Sequence, residues 1–540
     1  MLTKPHIVSM VMNQVAGDSR VIKTAQAAMN AGYSATIIGV SSSGSTERKD
    51  VEGVPVVLLP NYAAHLKRHG MWGEERDLRL LVGGYLRAAI PEIIALRPDL
   101  LHSHDMIGLK IGVSAARAMQ AAGRNIPWVH DLHEFVAGLR GELAESYMPV
   151  CLEWEREFLH KADHLFTVSD ALADEIKSRY LLPEAPTVTF NTPNMSAFSD
   201  SGPDVRSALG LPKEAPLVVF VGGATPLRGC DTIVEAVASL ENVHLAMVSQ
   251  GKYVNELAAK AAEMGMGERF HVHPYVPSDQ VTSFIRTADV GIHGLVHYPN
   301  AEVAMPNKMF EYLHAGLPLV VSDVASMRCF VEENGIGRSF QAGDAGSCAE
   351  AIRFTLANNT ELRRHISSPL KEKYSWEEQE RKIQAIYEQL LSKPRTAPSD
   401  EDRERAFYYQ KIEMIALDAT YARALAEVSF RKHSAEVAII GKTQERLIAE
   451  IAAIRKNQER PIAEISAIRK AQKRLLAKLL TGEKAHDGLR APYLQPKPSL
   501  LHKARFVVSV ASKQGMWGMF KFVGSRVRRK VSATKYDEIG

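Results

Sequence analysis

The chain has 540 residues, 46% hydrophobic and 24% charged, and Lys plus Arg exceed Asp plus Glu by only four. This excludes a globally disordered or collagen-like chain and, at roughly 100–200 residues per domain, predicts two to four domains. The four cysteines (Cys151, Cys230, Cys329 and Cys348) lack paired spacing, which excludes a disulfide framework or zinc ribbon and fits a reducing cytoplasm.

From the N-terminus, short β-branched runs alternate with longer helical patterns, the signature of parallel βαβ units. His6 to Met12 reads as a first strand, and its apolar stretch is too short for a secretory signal. After a loop at Asn13 to Gly17, Asp18 or Ser19 can cap the helix DSRVIKTAQAAMNAG, which Gly32 ends. Further strands are predicted at Thr36–Val40, Val54–Leu59, Asp99–His102, Pro127–Asp131 and Leu165–Ser169. Residues 1–195 therefore read as one doubly wound domain. The Pro- and Ser-rich stretch Asn191 to Asp204 reads as an interdomain linker. A second series spans 196–392, with strands PLVVFVGG, HLAMVSQ, FHVHPYV, VGIHGLV and PLVVSD between helices, and is closed by the helix Trp376 to Leu391. A charged, Pro-containing joint follows at 393–402. The expected fold class is α/β, two facing Rossmann-like domains with ligand loops at the C-terminal edges of both sheets. No window holds ~18 uninterrupted apolar residues, so a spanning helix is not expected and the chain should be soluble or peripheral.

Two stretches carry a chemical signal. In FVGGATPLRGCD (Phe220 to Asp231) a strand runs through Gly222 and Gly223 into a helix start, with Arg228 nearby. Backbone N–H groups at a helix start beside a cation favour a phosphate, although a Gly-Gly turn also serves as a tight connection. In MPNKMFEYLHAGLPLVVSD (Met305 to Asp323), Pro306 suits the first turn of a helix, and Lys308 and Glu311 lie on neighbouring positions of one face. They read either as a surface ion pair or as a cation for a diphosphate and a carboxylate for ribose hydroxyls. His102, His104, His130 and His133 cluster in one region, where buried strand-end histidines are commoner than a metal site. No acidic triplet ends a strand in residues 1–392, so no metal is invoked.

With HPYVPSDQVTSFIRTADVGI between them, these two stretches resemble the donor-binding half of retaining nucleotide-sugar glycosyltransferases of family 4, which have the GT-B fold. The N-terminal half agrees, since LLHSHD, IPWVHDLHE, HLFTVSDALADEI and NTPN fall in that family's order. The resemblance covers about residues 5–392. It implies phosphate contacts from Arg228 and Lys308, with Gly222, Gly223 and Asn307 in the same turns, a ribose contact from Glu311, and Val276 against the base. His133 would touch the sugar ring, with Glu134 beside it in the catalytic pair. Two departures stand out: Gly223 occupies a place where the family often has arginine, and Val303 one where it often has glutamate, with Glu302 one residue off that register. The donor implied is a UDP- or GDP-linked sugar, with no tightly bound cofactor.

The C-terminal region differs in charge. Positions 401–540 hold 28 Lys and Arg against 15 Asp and Glu. Residues 403–480 are strongly helix-forming, and QERLIAEIAAIRKN at 444–457 is nearly repeated at 458–471, with apolar 4–3 spacing that favours a coiled coil, and hence a homo-oligomer, over a solvated single helix. Pro461 should break or kink it. In the tail 481–540, the stretch 497–535 has ten basic residues and no acidic one, with Met516, Phe520, Val523 and Val527 at helical spacing. That pattern suits an anionic membrane surface better than nucleic acid.

The sequence thus predicts a cytoplasmic transferase, peripheral at the inner membrane face, acting on a glycan or lipid-linked acceptor in cell-surface polysaccharide or glycolipid synthesis. The alternatives are a nucleotide-sugar epimerase of the same fold and an inactive scaffold acting through its helical tail. Acceptor loops at Asn13 to Arg20 and Tyr62 to Arg76 do not name the acceptor.

Overall fold

The structure, a computed structural model, describes residues 4–61, 78–194, 198 and 201–432. The expected loop Tyr62 to Arg76, the repeats at 444–471 and the basic stretch 497–535 lie outside the described residues.

The first half builds an eight-stranded sheet from β1 (His6–Met10), β2 (Ser34–Ser41), β3 (Glu47–Val51), β4 (Val54–Pro60), β5 (Leu100–His104), β6 (Trp128–Leu132), β7 (His164–Thr167) and β8 (Thr187–Val188), in the order 3-4-2-1-5-6-7-8. All neighbours are parallel except β3 against β4. The second half builds a six-stranded parallel sheet from β9 (Leu217–Val221), β10 (His244–Val248), β11 (Phe270–His273), β12 (Val290–His293), β13 (Leu319–Ser322) and β14 (Gly337–Phe340), in the order 11-10-9-12-13-14. Strands covered on both faces become continuous apolar runs, as in β9, where all five residues of LVVFV are buried. Chain order reverses between β1 and β5 and between β9 and β12, and ligand crevices form at such switch points.

Helices cover both sheets. In the first half these include α1 (Ser19–Asn30), capped by the Asp18 carboxylate accepting from the Val21 N–H, and α2 (Asp105–Ala121). In the second they include α3 (Cys230–Ala238), α4 (Pro299–Val303), α5 (Asn307–Ala315) and α6 (Ala325–Glu333). The closing helix α7 (Trp376–Ser392) returns to the first half. Its Trp376, Ile383, Tyr387 and Leu390 join a core cluster with Ile7, Val21, Ile37 and Val56. Gln384 Nε2 donates to the Ala27 carbonyl at 3.0 Å.

The joint expected at 393–402 ends earlier, because the Ser399 hydroxyl accepts from the Asp402 N–H and helix α8 (Asp400–Lys432) has already begun. Its first turns lie on α2: Ala406 is buried, the Arg117 guanidinium sits 4.9 Å over the Tyr409 ring, and Glu413 meets Lys110 and Ser114. The face of α8 that carries Ala406, Tyr409 and Glu413 is therefore occupied within the chain. Among the described residues, no helix is long and apolar enough to cross a membrane.

Candidate functional site

At the β9 end, the backbone must turn sharply. Gly222 adopts φ +97°, and a Cβ there would lie 2.6 Å from Lys308 Cε and 2.9 Å from its Nζ. The glycine thus provides the space in which the Lys308 amine rests. Arg228 folds back so that Nη1 donates to the Gly223 carbonyl. Gly229, at φ +60°, presses so closely on Gly294 that any side chain would strike the Gly294 carbonyl. The loops after β9 and β12 are thereby locked together at the switch point.

Lys308 and Glu311 come from the first turns of α5. That helix is set by Tyr312, whose buried hydroxyl donates to the Ile292 carbonyl at 3.0 Å and accepts from the Val221 N–H at 3.1 Å. Burial lowers the Lys308 pKa, which nearby Glu311 draws back up and Arg228 lowers further. Burial raises that of Glu311, opposed by Lys308 and by Lys23 of α1. The Glu311 Oε2 atom is buried without a protein partner, and so is available to a ligand hydroxyl. Arg228, 80 residues earlier in the chain, thus lies close enough to Lys308 and its neighbour Glu311 for the charges to influence one another, and Lys308 and Glu311 are half-buried rather than an exposed surface pair.

The first half supplies the opposite wall. His133 and Glu134 follow β6. Burial alone would lower His133, but the Asp131 carboxylate, 3.3 Å from its Nε2, more than offsets this and raises it. Burial pushes Glu134 up to about 7, helped by Asp105, while His133 and Arg228 pull it down. The residue after His104, Asp105, holds φ +69° at the switch point, a strained conformation for a non-glycine residue. Tyr298 feels both Glu134 and Arg228, so the two halves meet here. The contact is direct: the Phe135 N–H donates to Asn300 Oδ1 at 2.8 Å, and the Ser169 hydroxyl donates to the Val303 carbonyl. Between the halves lies a cavity of about 390 Å³, lined by Asn13, Gln14, Gly17, Asp18, Ser19, Asn191 and Asn307.

Val276 is half-buried against the second core, whereas its neighbour Tyr275 is exposed, with its hydroxyl 3.4 Å from where a Gly223 Cβ would stand. Glu302 turns away from the cleft: Oε1 pairs with His297 at 2.6 Å and Oε2 accepts from the Ala325 N–H at the start of α6. Val303 packs on the first-half core.

The other histidines are structural in their contacts. His102 Nδ1 is 2.7 Å from the Tyr387 hydroxyl, its ring stacks on His104 at 4.1 Å, and His130 Nδ1 is 2.9 Å from Ser103 Oγ. Burial lowers all three, His130 to about 3. Donor atoms of His102, His104 and Asp131 lie within 4.8 Å of one another. Both Asp131 oxygens, however, already accept from Arg20, at 2.7 Å each.

Sequence reasoning missed two cations of α1, Arg20 buried and Lys23 half-buried. Besides Asp131, Arg20 donates to the Thr189 carbonyl and hydroxyl; Lys23 donates to Asn191 Oδ1 and the Thr192 carbonyl, under the Trp376 ring. The available signal was their place on the apolar side of an amphipathic helix, where Arg20 falls among buried Val21, Thr24, Ala27 and Ala28.

Two Rossmann-like domains facing across a cleft, with a cationic turn on one wall and a His-Glu pair on the other, form the GT-B architecture. Residues 203–373 match the family described as "Glycosyl transferases group 1", and residues 19–192 match "Glycosyl transferase 4-like domain". Together these matches span more than half of the chain, and it belongs to the group 1 glycosyltransferases with a family 4-like N-terminal domain. The D-inositol 3-phosphate glycosyltransferase of Xylanimonas cellulosilytica is 24% identical over 313 residues, covering 55% of this chain and 73% of that protein. Its namesake from Nocardia farcinica is 24% identical over 344 residues, covering 60% and 68%. Among solved structures, sucrose-phosphate synthase from Thermosynechococcus elongatus has a TM-score of 0.59 at 17% identity, over 72% of this chain and 100% of that one. Anabaena HepE in complex with UDP and glucose has a TM-score of 0.54 at 15% identity, over the same shares.

Proposed function

We propose that the enzyme transfers a sugar, with retention at the anomeric carbon, from a nucleoside-diphosphate sugar to a hydroxyl of a glycan or lipid-linked acceptor. The observation that carries this reading is the convergence of Arg228 and Lys308 on the Gly222–Gly223 turn, opposite His133 and Glu134. Departure of a diphosphate leaves negative charge, and fixed cations in a water-poor cleft stabilise it without reorganising. Glu311, its Oε2 atom unpartnered, accepts from ribose hydroxyls, and Tyr275 stands with Val276 at the base. His133 meets the sugar ring, and Glu134, poised near neutrality, exchanges a proton with an acceptor group.

The Asn13–Ser19 wall of the cavity receives the acceptor. Retention and the cell-surface glycan pathway follow from the family 4 resemblance, and UDP is the first donor nucleotide to test because HepE is described with it. Residues 497–535, ten positive charges with interleaved aromatics, hold the enzyme at an anionic membrane where a lipid-linked acceptor resides, and residues beyond 432 in the 403–480 segment join copies of the chain.

The test is a binding titration with UDP, GDP and ADP, comparing the parent with Lys308→Ala and Glu311→Ala. Tight binding of one nucleotide, weakened by both substitutions, is the expected result. A parent that binds none of the three sinks the donor assignment.

A further inference from the structure

The Asp131 carboxylate is the most heavily engaged acidic group near the cleft, and the proposed chemistry does not use it directly. It stands at the end of β6, 1% exposed, in register with His104 of β5. Oδ1 accepts from Arg20 Nη2 at 2.7 Å. Oδ2 accepts from Arg20 Nε at 2.7 Å, lies 3.3 Å from His104 Nδ1, and lies 3.3 Å from His133 Nε2 on the cleft side. Arg20 is itself immobilised by Thr189 and is 4% exposed. A buried carboxylate is costly unless paired, and the bidentate guanidinium keeps this one ionised and stationary.

A stationary carboxylate has a specific effect on a neighbouring imidazole. It accepts from one ring N–H and so fixes both the tautomer and the ring's direction. For His133, whose Nε2 lies 3.3 Å from Oδ2 without completing a hydrogen bond in the structure, the charge of the carboxylate favours the proton on Nε2 and leaves Nδ1 for the cleft. The other groups facing His133 are the His104 ring, at 5.7 Å between centroids, together with Asp105, Glu134 and Arg20. His104 is buried and favours its neutral form, so it adds no competing charge.

We propose that Asp131, anchored by Arg20, is a positioning residue that holds His133 as its Nε2–H tautomer with Nδ1 turned to the sugar. The inference rests on the role of His133 in the proposed transfer. The polarity of this arrangement is set from α1: the cation that neutralises Asp131 also grips the strand leading into the interdomain linker through Thr189. The orientation of His133 is thus tied to the same contact that seats α1.

The first measurement needs no turnover. Histidine-¹⁵N NMR of the full-length protein, with His133→Gln to assign the signal, is expected to show His133 protonated on Nε2 when neutral and titrating above the free-histidine value. An Nδ1–H tautomer overturns the proposal and leaves the donor-site reading standing. The second is Asp131→Asn. With folding checked by circular dichroism, nucleotide affinity should stay within about threefold of the parent, while kcat falls roughly 10- to 100-fold and the acidic limb of the kcat/KM profile moves to lower pH. In the His133→Gln background the same substitution should cost nothing further. Multiplicative losses in the double variant, or parent-like kcat in Asp131→Asn, overturn the inference. A parent that binds no nucleotide removes the functional reading instead, and the NMR result then decides the positioning by itself.

Discussion

Replacing Gly222 by alanine tests the donor turn at its tightest point. The new methyl would stand 2.6 Å from Lys308 Cε and 2.9 Å from Nζ, so the amine must move. Two costs follow. A left-handed backbone costs an L-residue roughly 1–2 kcal/mol, a melting decrease of a few degrees for a protein of this size. Displacing the amine from a diphosphate removes a charge-assisted hydrogen bond worth about 1.5–3 kcal/mol, or about 10- to 150-fold in nucleotide affinity. Gly343→Ala separates the two, because Gly343 has φ +80° but nothing within 4 Å of its added methyl. Calorimetric titration with UDP and GDP should show the affinity loss in Gly222→Ala only, while thermal melts show similar destabilisation in both. Parent-like affinity in a folded Gly222→Ala protein, or equal loss in the control, refutes the reasoning.

Three further outcomes are expected. Gly112→Ala puts a methyl 2.2 Å from Trp128 Nε1 and 2.5 Å from Ser103 Oγ, so overpacking should cost about 1–3 kcal/mol in urea melts and leave nucleotide affinity unchanged. Burial raises Glu155 to about 7 from 4.5, despite the opposing hydrogen bond donated by the Tyr180 hydroxyl. The folded state therefore keeps a proton that the unfolded chain releases, stability falls as pH rises from about 4.5 to 7, and Glu155→Gln should flatten that decline in denaturant titrations at pH 5 and 7.5. Burial and Asp105 likewise bring Glu134 to about 7. A kinetic limb near pH 7 should be present in the parent and vanish in Glu134→Gln; its persistence in the variant assigns the limb to another group.

What the sequence revealed follows from how each residue is buried. Strands covered on both faces had to be apolar runs, and β1, β9, β10 and β13 were legible for that reason. The edge strand β3, ERKDV, has three exposed central residues and is set by a hairpin whose Glu52 and Gly53 both take positive φ; charged side chains suit an edge and hide the strand from a hydrophobicity pattern. The β14 strand, GRSF, escaped for a similar lack of alternation. The stretches holding Arg228, Lys308 and Glu311 could be singled out because each has a local signature, a Gly-Gly turn after β9 and a proline at the start of α5. The approach of Tyr275 to Gly223 was not legible, since one residue of loop register decides which of two neighbours faces that glycine. Nor was the destiny of Glu302, which His297 and the start of α6 claim through contacts made only after folding. Arg20 and Lys23 resemble ordinary helix-surface cations until the linker closes over them.

The return of α7 to the first sheet has a bearing on how the polypeptide is made. Ile7 and its neighbours are among the first core residues to leave the ribosome, and Trp376, Ile383, Tyr387 and Leu390 come only after the entire second sheet has been synthesised. At about 5–20 residues per second, that interval is roughly 20–75 s. During it, one face of the nascent sheet lacks its last helix and is open to chaperones or to other nascent chains. A gene cut at the interdomain linker would make this exposure permanent. The two halves can be separated cleanly only if the piece carrying Ile7 is given the α7 segment as well.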